Sequence, residues 1–208
     1  MKHGLSKRDV DILEEKGLWK ASSHLHRAVK KLIRKNLPLE IRYIKEAHRI
    51  IFTTAHQESM AGRYRTDNPE LKRIDGSLLI ISHWQHISRD IAELDSELKK
   101  ETRNIRPPKT EREYKKTITI AAQLSHWLAC IHPFENGNGR SSRLLLNAVL
   151  LRVGLPEVAI RKKKPQYLRA MLQADNRDFS LLEKIITDGV LENKKQQLKI
   201  AQRKQTRR

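Results

Sequence analysis

Cysteine is all but missing from this chain. Cys130 is its one thiol, so no internal disulfide can form, and a reducing cytoplasm is the simplest setting. Cys130 lies on an apolar stretch and reads as a small buried residue rather than a nucleophile. Apolar runs of membrane-spanning length are missing too, as is a signal-peptide core near the N-terminus, which excludes a membrane protein and a membrane partner. His83, His86 and His126 have no cysteine or carboxylate at metal-ligand spacing, which argues against a zinc site and makes them surface or packing residues. Acidic residues are absent from the last stretch, which carries Lys194, Lys195, Lys199, Arg203, Lys204, Arg207 and Arg208.

What is present is positive charge. The 208 residues carry a formal charge of +19, far more than one bound anion needs. The excess sits at Lys30 and Lys31, at residues 161–164 and in the tail. It suits nucleic acid or an acidic partner protein, or is simply the solvated face of a fraying helix. Length predicts one domain with a real core. It divides into an N-terminal helical extension (1–38), a main domain (39–193) and a basic tail (194–208).

Apolar periodicity predicts helices throughout. A short one over residues 6–15, capped by Ser6, is stopped by Gly17, and Trp19 packs on the body of the domain. Others cover 23–35, 38–57 and 82–100, then a long one running into His132, another leaving Arg140, and two more over 167–174 and 179–203. The scaffold helices before residue 60 ask for no chemistry. Residues 66–78 are an exposed excursion in which Asp75-Gly76 predicts a small hairpin.

The chemistry concentrates in His132-Pro133-Phe134-Glu135-Asn136-Gly137-Asn138-Gly139-Arg140-Ser141-Ser142-Arg143. Gly137 and Gly139 can take positive φ, so their N–H groups can form a nest around an anion. The following helix turns its N-terminal N–H groups and dipole to the same point. Arg140 and Arg143, three apart, add guanidinium forks suited to phosphate. His132 is the side chain that can accept a proton near neutrality, and Pro133 predicts an extended conformation for it. The plainer alternative is a glycine-rich interhelical turn with a capping histidine and solvated arginines.

This stretch resembles the Fic signature His-Pro-Phe-x-(Asp/Glu)-Gly-Asn-Gly-Arg-x-x-Arg at every defined position except Asn136. The resemblance implies an all-α Fic-fold helical bundle with a short β-hairpin flap near the active site. It implies transfer of AMP from ATP, with Mg²⁺, to a Ser, Thr or Tyr hydroxyl of a target protein, releasing pyrophosphate. His132 would be the base, Gly137, Asn138 and Gly139 the phosphate cradle, and Arg140 and Arg143 the holders of the outer phosphates. Where the family has a carboxylate for Mg²⁺, Asn136 offers a neutral amide oxygen. The segment Gly62-Arg63-Tyr64-Arg65 is similar to the one preceding the family's flap, so Arg65, Asp75 and Gly76 are expected at the target-binding flap. Many Fic proteins carry an inhibitory glutamate, and residues 188–193 approach that pattern, with Glu192 in its place; otherwise an antitoxin-like partner would restrain the enzyme. Two alternatives stay open: a catalytically weak Fic fold kept as a basic binding module, and a transferase using another nucleotide donor.

Overall fold

In a computed structural model, residues 6–159 and 164–205 are described. Residues 161–163 of the basic cluster and 206–208 of the tail lie outside them. The described residues form seven α-helices: α1 (Lys7–Lys35), α2 (Arg42–Thr54), α3 (Ile87–Arg103, entered through a 3₁₀ turn), α4 (Glu111–Ile131), α5 (Asn138–Arg152), α6 (Lys164–Asp175) and α7 (Ser180–Gln205). The all-α expectation holds, and no described helix is long and apolar enough to cross a membrane.

The first helix differs from its sequence reading. Ser6 caps it, exchanging bonds with Asp9 in a capping box, but Gly17 does not end it. The chain continues as one helix to Lys35, because Gly17 belongs to the buried stripe Gly17, Ala21, Leu25, Val29 and Leu32. A glycine inside a helix costs about 1 kcal/mol, and here it lets α1 approach the backbone of α2. A Cβ on Gly17 would lie 2.6 Å from the Ile51 carbonyl oxygen. Trp19, expected against the body of the domain, is 71% exposed.

Helix α5 is the centre of the bundle. Its second half is largely apolar, with Leu144, Leu145, Leu146, Ala148, Val149 and Leu150 buried, the pattern of a helix covered on most faces. Helices α4, α1 and α2 pack on it; α3 and α7 pack on α4, and α6 on α7. This arrangement buries the flanks of the polar loop between α4 and α5 and leaves its tip facing out.

The excursion after α2 folds as expected. Lys72 and Leu78 form an antiparallel bridge, with Arg73 N–H to Ser77 O at 2.8 Å and Leu79 N–H to Leu71 O at 2.8 Å. Asp75 and Gly76 make the turn: Asp75 Oδ1 accepts from Ser77 N at 3.0 Å, and Gly76 takes φ 85°. Lys194, Lys195, Lys199 and Arg203 lie exposed on the last turns of α7.

Candidate active site

Helix α4 stops at Ile131, but His132 is not extended. It takes φ 51° and ψ 55°, a left-handed conformation in place of the extended one that a following proline favours. It closes the helix as a cap, its N–H donating to Leu128 O at 3.2 Å. The ring turns back so that Nδ1 lies 3.3 Å from the Ala129 carbonyl. That carbonyl can only accept, so Nδ1 carries the proton and Nε2 keeps its lone pair. Burial lowers the His132 pKa, with the Arg65 charge acting the same way and the Ala129 bond opposing. The neutral, proton-accepting form is therefore the resting one near neutrality.

The loop is stapled from both ends. The Asn138 side chain is buried and aimed inward: its Oδ1 accepts from Phe134 N at 2.9 Å and its Nδ2 donates to Phe134 O at 2.7 Å. Asn138 can thus serve an anion only through its backbone N–H. From α2, His48 is fully buried; it accepts from Gly62 N on Nδ1 at 3.0 Å and donates from Nε2 to Asn136 O at 2.9 Å. Its ring stacks on Phe134 at 3.8 Å. Burial drives its pKa down to about 4, the Asn136 bond resisting and the Arg140 charge assisting. The sequence reading assigned nothing to α2; the signal was a histidine on the apolar stripe of Ile44, Ala47 and Ile51.

Gly137 takes φ 79° as predicted, and a Cβ there would meet Phe52 at 2.7 Å. Gly139 does not take positive φ; it lies in the first turn of α5, where a Cβ would press on the Arg143 guanidinium at 3.3 Å. One left-handed glycine followed by a helix start therefore replaces the two-glycine nest. The first N–H groups of α5 have no intrahelical acceptor and carry the helix's positive end.

Arg140 and Arg143 leave this turn toward one cavity of about 390 Å³, shared with Glu15, Trp19, Asn147 and Glu157. Arg140 lies over the Phe52 ring at 5.0 Å and pairs with Glu14 of α1 at 2.5 Å. Arg143 stands 5.9 Å from the centre of the Tyr167 ring. His132 is not in this lining.

The family model of the Fic/DOC family matches residues 38–150, more than half of the chain. The chain belongs to the Fic/DOC family. It is 34% identical over 155 residues to the protein adenylyltransferase Fic of Nematostella vectensis, an alignment covering 71% of this chain and 31% of that protein. The chain thus spans less than a third of that relative's length. Among solved structures it resembles Fic-1 (residues 134–508) from C. elegans, with a TM-score of 0.72 at 21% identity over 98% of this chain and 55% of that one. It also resembles the N-terminal Fic domain of a putative cell filamentation protein from Bartonella quintana with bound ADP, with a TM-score of 0.57 at 18% identity over 90% and 88% of the two chains. These two likenesses establish the Fic fold.

Against that fold, Arg65 is not a surface residue of the flap. It is 4% exposed and braces the Fic loop from beneath. Its Nε donates to His132 O at 2.7 Å and its backbone N to Pro133 O at 2.9 Å. Its remaining nitrogens reach the carbonyls of Asp67 and Ser82, at the two roots of the flap. Asp75 and Gly76 stand at the flap's exposed tip, and Glu192 is exposed on α7. Asn136 turns its Oδ1 onto Gly137 N at 2.7 Å. A neutral oxygen already accepting one bond is a poor anchor for Mg²⁺, which protein sites hold through carboxylates and substrate phosphates. Glu135, exposed beside it, is the loop's carboxylate.

Proposed function

We propose that this Fic chain transfers AMP from ATP to a hydroxyl of a target protein. The observation that carries the reading is His132, held neutral with Nε2 free, beside a helix start flanked by Arg140 and Arg143. In the reaction the target's hydroxyl oxygen attacks the α-phosphorus and the bond from that phosphorus to the bridging oxygen breaks. The hydroxyl proton passes to His132 Nε2 and pyrophosphate departs. The backbone N–H groups of Asn138 and Gly139 would meet the phosphate oxygens, that of Gly137 being held by Asn136 Oδ1, and the two arginines the outer phosphates. Positioning and charge neutralisation then supply most of the rate. Any Mg²⁺ would arrive on the nucleotide, with Asn136 as a weak additional oxygen.

The flap supports a protein acceptor. Its exposed backbone edge and the outward Ile74, Leu78 and Ile80 (49%, 54% and 81% exposed) offer strand pairing to an extended target segment. The brace from Arg65 ties that edge to His132.

The test is transfer from ATP labelled on the α-phosphate, in lysate, with wild type and His132→Ala. Label that depends on His132 is the expected result. Its acid limb should lie below the ordinary imidazole range, because burial lowers the His132 pKa. Label retained in His132→Ala would overturn the assignment. Salt-sensitive nucleic-acid binding with no labelled adduct would favour the basic binding module.

A further inference from the structure

The reading of His126 as a surface or packing residue passed over its neighbours in the fold. His126 and Cys130 are four apart on α4 and so share one face. Asp175, at the end of α6, is brought against them. His126 Nε2 lies 2.9 Å from Asp175 Oδ1, Cys130 Sγ lies 3.5 Å from His126 Nε2, and Cys130 Sγ lies 3.8 Å from Asp175 Oδ1. The three donor atoms all fall within 4.8 Å of one another.

These separations can be compared with what a metal demands. Zinc bonds of about 2.0–2.3 Å at tetrahedral angles put the ligand atoms roughly 3.4–3.6 Å apart. Both sulfur separations lie near that range, but Sγ is also 3.7 Å from His126 Nδ1, so it sits over the ring and must swing toward the Nε2 lone pair on binding. The nitrogen–oxygen pair, now hydrogen-bonded, would have to open by about half an ångström. Cys130 and Asp175 are partly exposed, which gives an ion a way in and leaves a fourth position for water.

We propose that His126, Cys130 and Asp175 form a binding site for a borderline-soft divalent cation of the zinc type, separate from the nucleotide site. Imidazole and thiolate select such an ion over Mg²⁺. Thiolate and carboxylate balance its two charges. On binding, the thiol proton leaves to solvent as the metal–sulfur bond forms. Asp175 keeps its other oxygen for Arg73, whose Nε lies 2.6 Å from Oδ2, an outer partner that fixes the carboxylate's orientation. Arg73 belongs to the flap and also donates to the Leu78 carbonyl across the hairpin. Occupation of the site therefore fastens the hairpin of the flap, through Arg73, to α4 and α6.

The test is titration of the full chain with Co²⁺ and Zn²⁺. The expected result is one ion per chain, a thiolate-to-cobalt charge-transfer band that Zn²⁺ abolishes, and one proton released. Cys130→Ser and Asp175→Asn, checked for fold by circular dichroism, should each weaken binding by more than the ~10- to 100-fold that outer-shell changes cost. Hydrogen exchange over residues 71–79 should slow when the ion is bound. A wild-type spectrum without the charge-transfer band, or binding unchanged in both variants, overturns the proposal. The wild-type spectrum decides even if a variant fails to fold.

Discussion

Replacing Glu14 by Gln should raise the affinity of this protein for ATP. Glu14 reaches Arg140 from α1 at 2.5 Å, and the two side chains are only 14% and 19% exposed. That burial separates the pair from surface ion pairs, whose contribution is about 0–1 kcal/mol. A charge-assisted bond in such a place contributes about 1.5–3 kcal/mol, and a phosphate using the same guanidinium must first displace the carboxylate. Glutamine keeps the shape but removes the charge. At about 1.4 kcal/mol per tenfold, affinity should rise by about 10- to 100-fold. Calorimetry with a non-hydrolysable ATP analogue, on wild type and Glu14→Gln at two salt concentrations, measures it. Adenylyl transfer should rise in the same variant. An affinity unchanged within about twofold, with the thermal midpoint preserved, would show that Arg140 is not a phosphate ligand and would refute the reasoning.

Gly17→Ala should destabilise the fold although alanine is the better helix former. The gain of about 1 kcal/mol in propensity is outweighed by a Cβ set 2.6 Å from Ile51 O and 2.8 Å from Ile51 Cα. Backbone cannot step aside, and overpacking costs about 1–3 kcal/mol, so urea unfolding should show a net loss of up to ~2 kcal/mol; a gain would refute the close packing of α1 on α2. Because His48 has its pKa lowered to about 4, the folded state binds fewer protons than the unfolded one below pH 6.5. Stability is therefore full above that pH and falls as pH drops toward 4, by up to roughly 3 kcal/mol; urea midpoints across this window, with the His48 ring resonance followed by NMR, should show it. Arg65→Lys keeps the charge but cannot span the carbonyls of His132, Asp67 and Ser82. Leaving buried carbonyls unpaired should cost about 2–4 kcal/mol and lower kcat; an unchanged kcat would show that the loop needs no brace.

The all-helical character of this chain and the location of its chemistry are local properties, so the sequence by itself determined them. Helix periodicity at Ile120, Leu124, Leu128 and Ile131 is a matter of residue spacing, and Gly137 announces a left-handed turn because it has no Cβ. The His-Pro-Phe to Arg143 stretch is contiguous, and so it identified the family and marked the candidate site. What only the tertiary structure decided concerns residues distant along the chain. Gly17 reads as a helix stop until α2 is placed against it. His48 reads as core until the Asn136 carbonyl meets its ring. Arg65 reads as a flap residue until burial makes it a brace, and Glu14 has no role until α1 crosses α5 at Arg140. The meeting of His126, Cys130 and Asp175 depends on α6 docking near the end of α4. Spacing along one helix records which residues share a face, but not which face of another helix will cover them. That second quantity is set by the packing of the whole bundle.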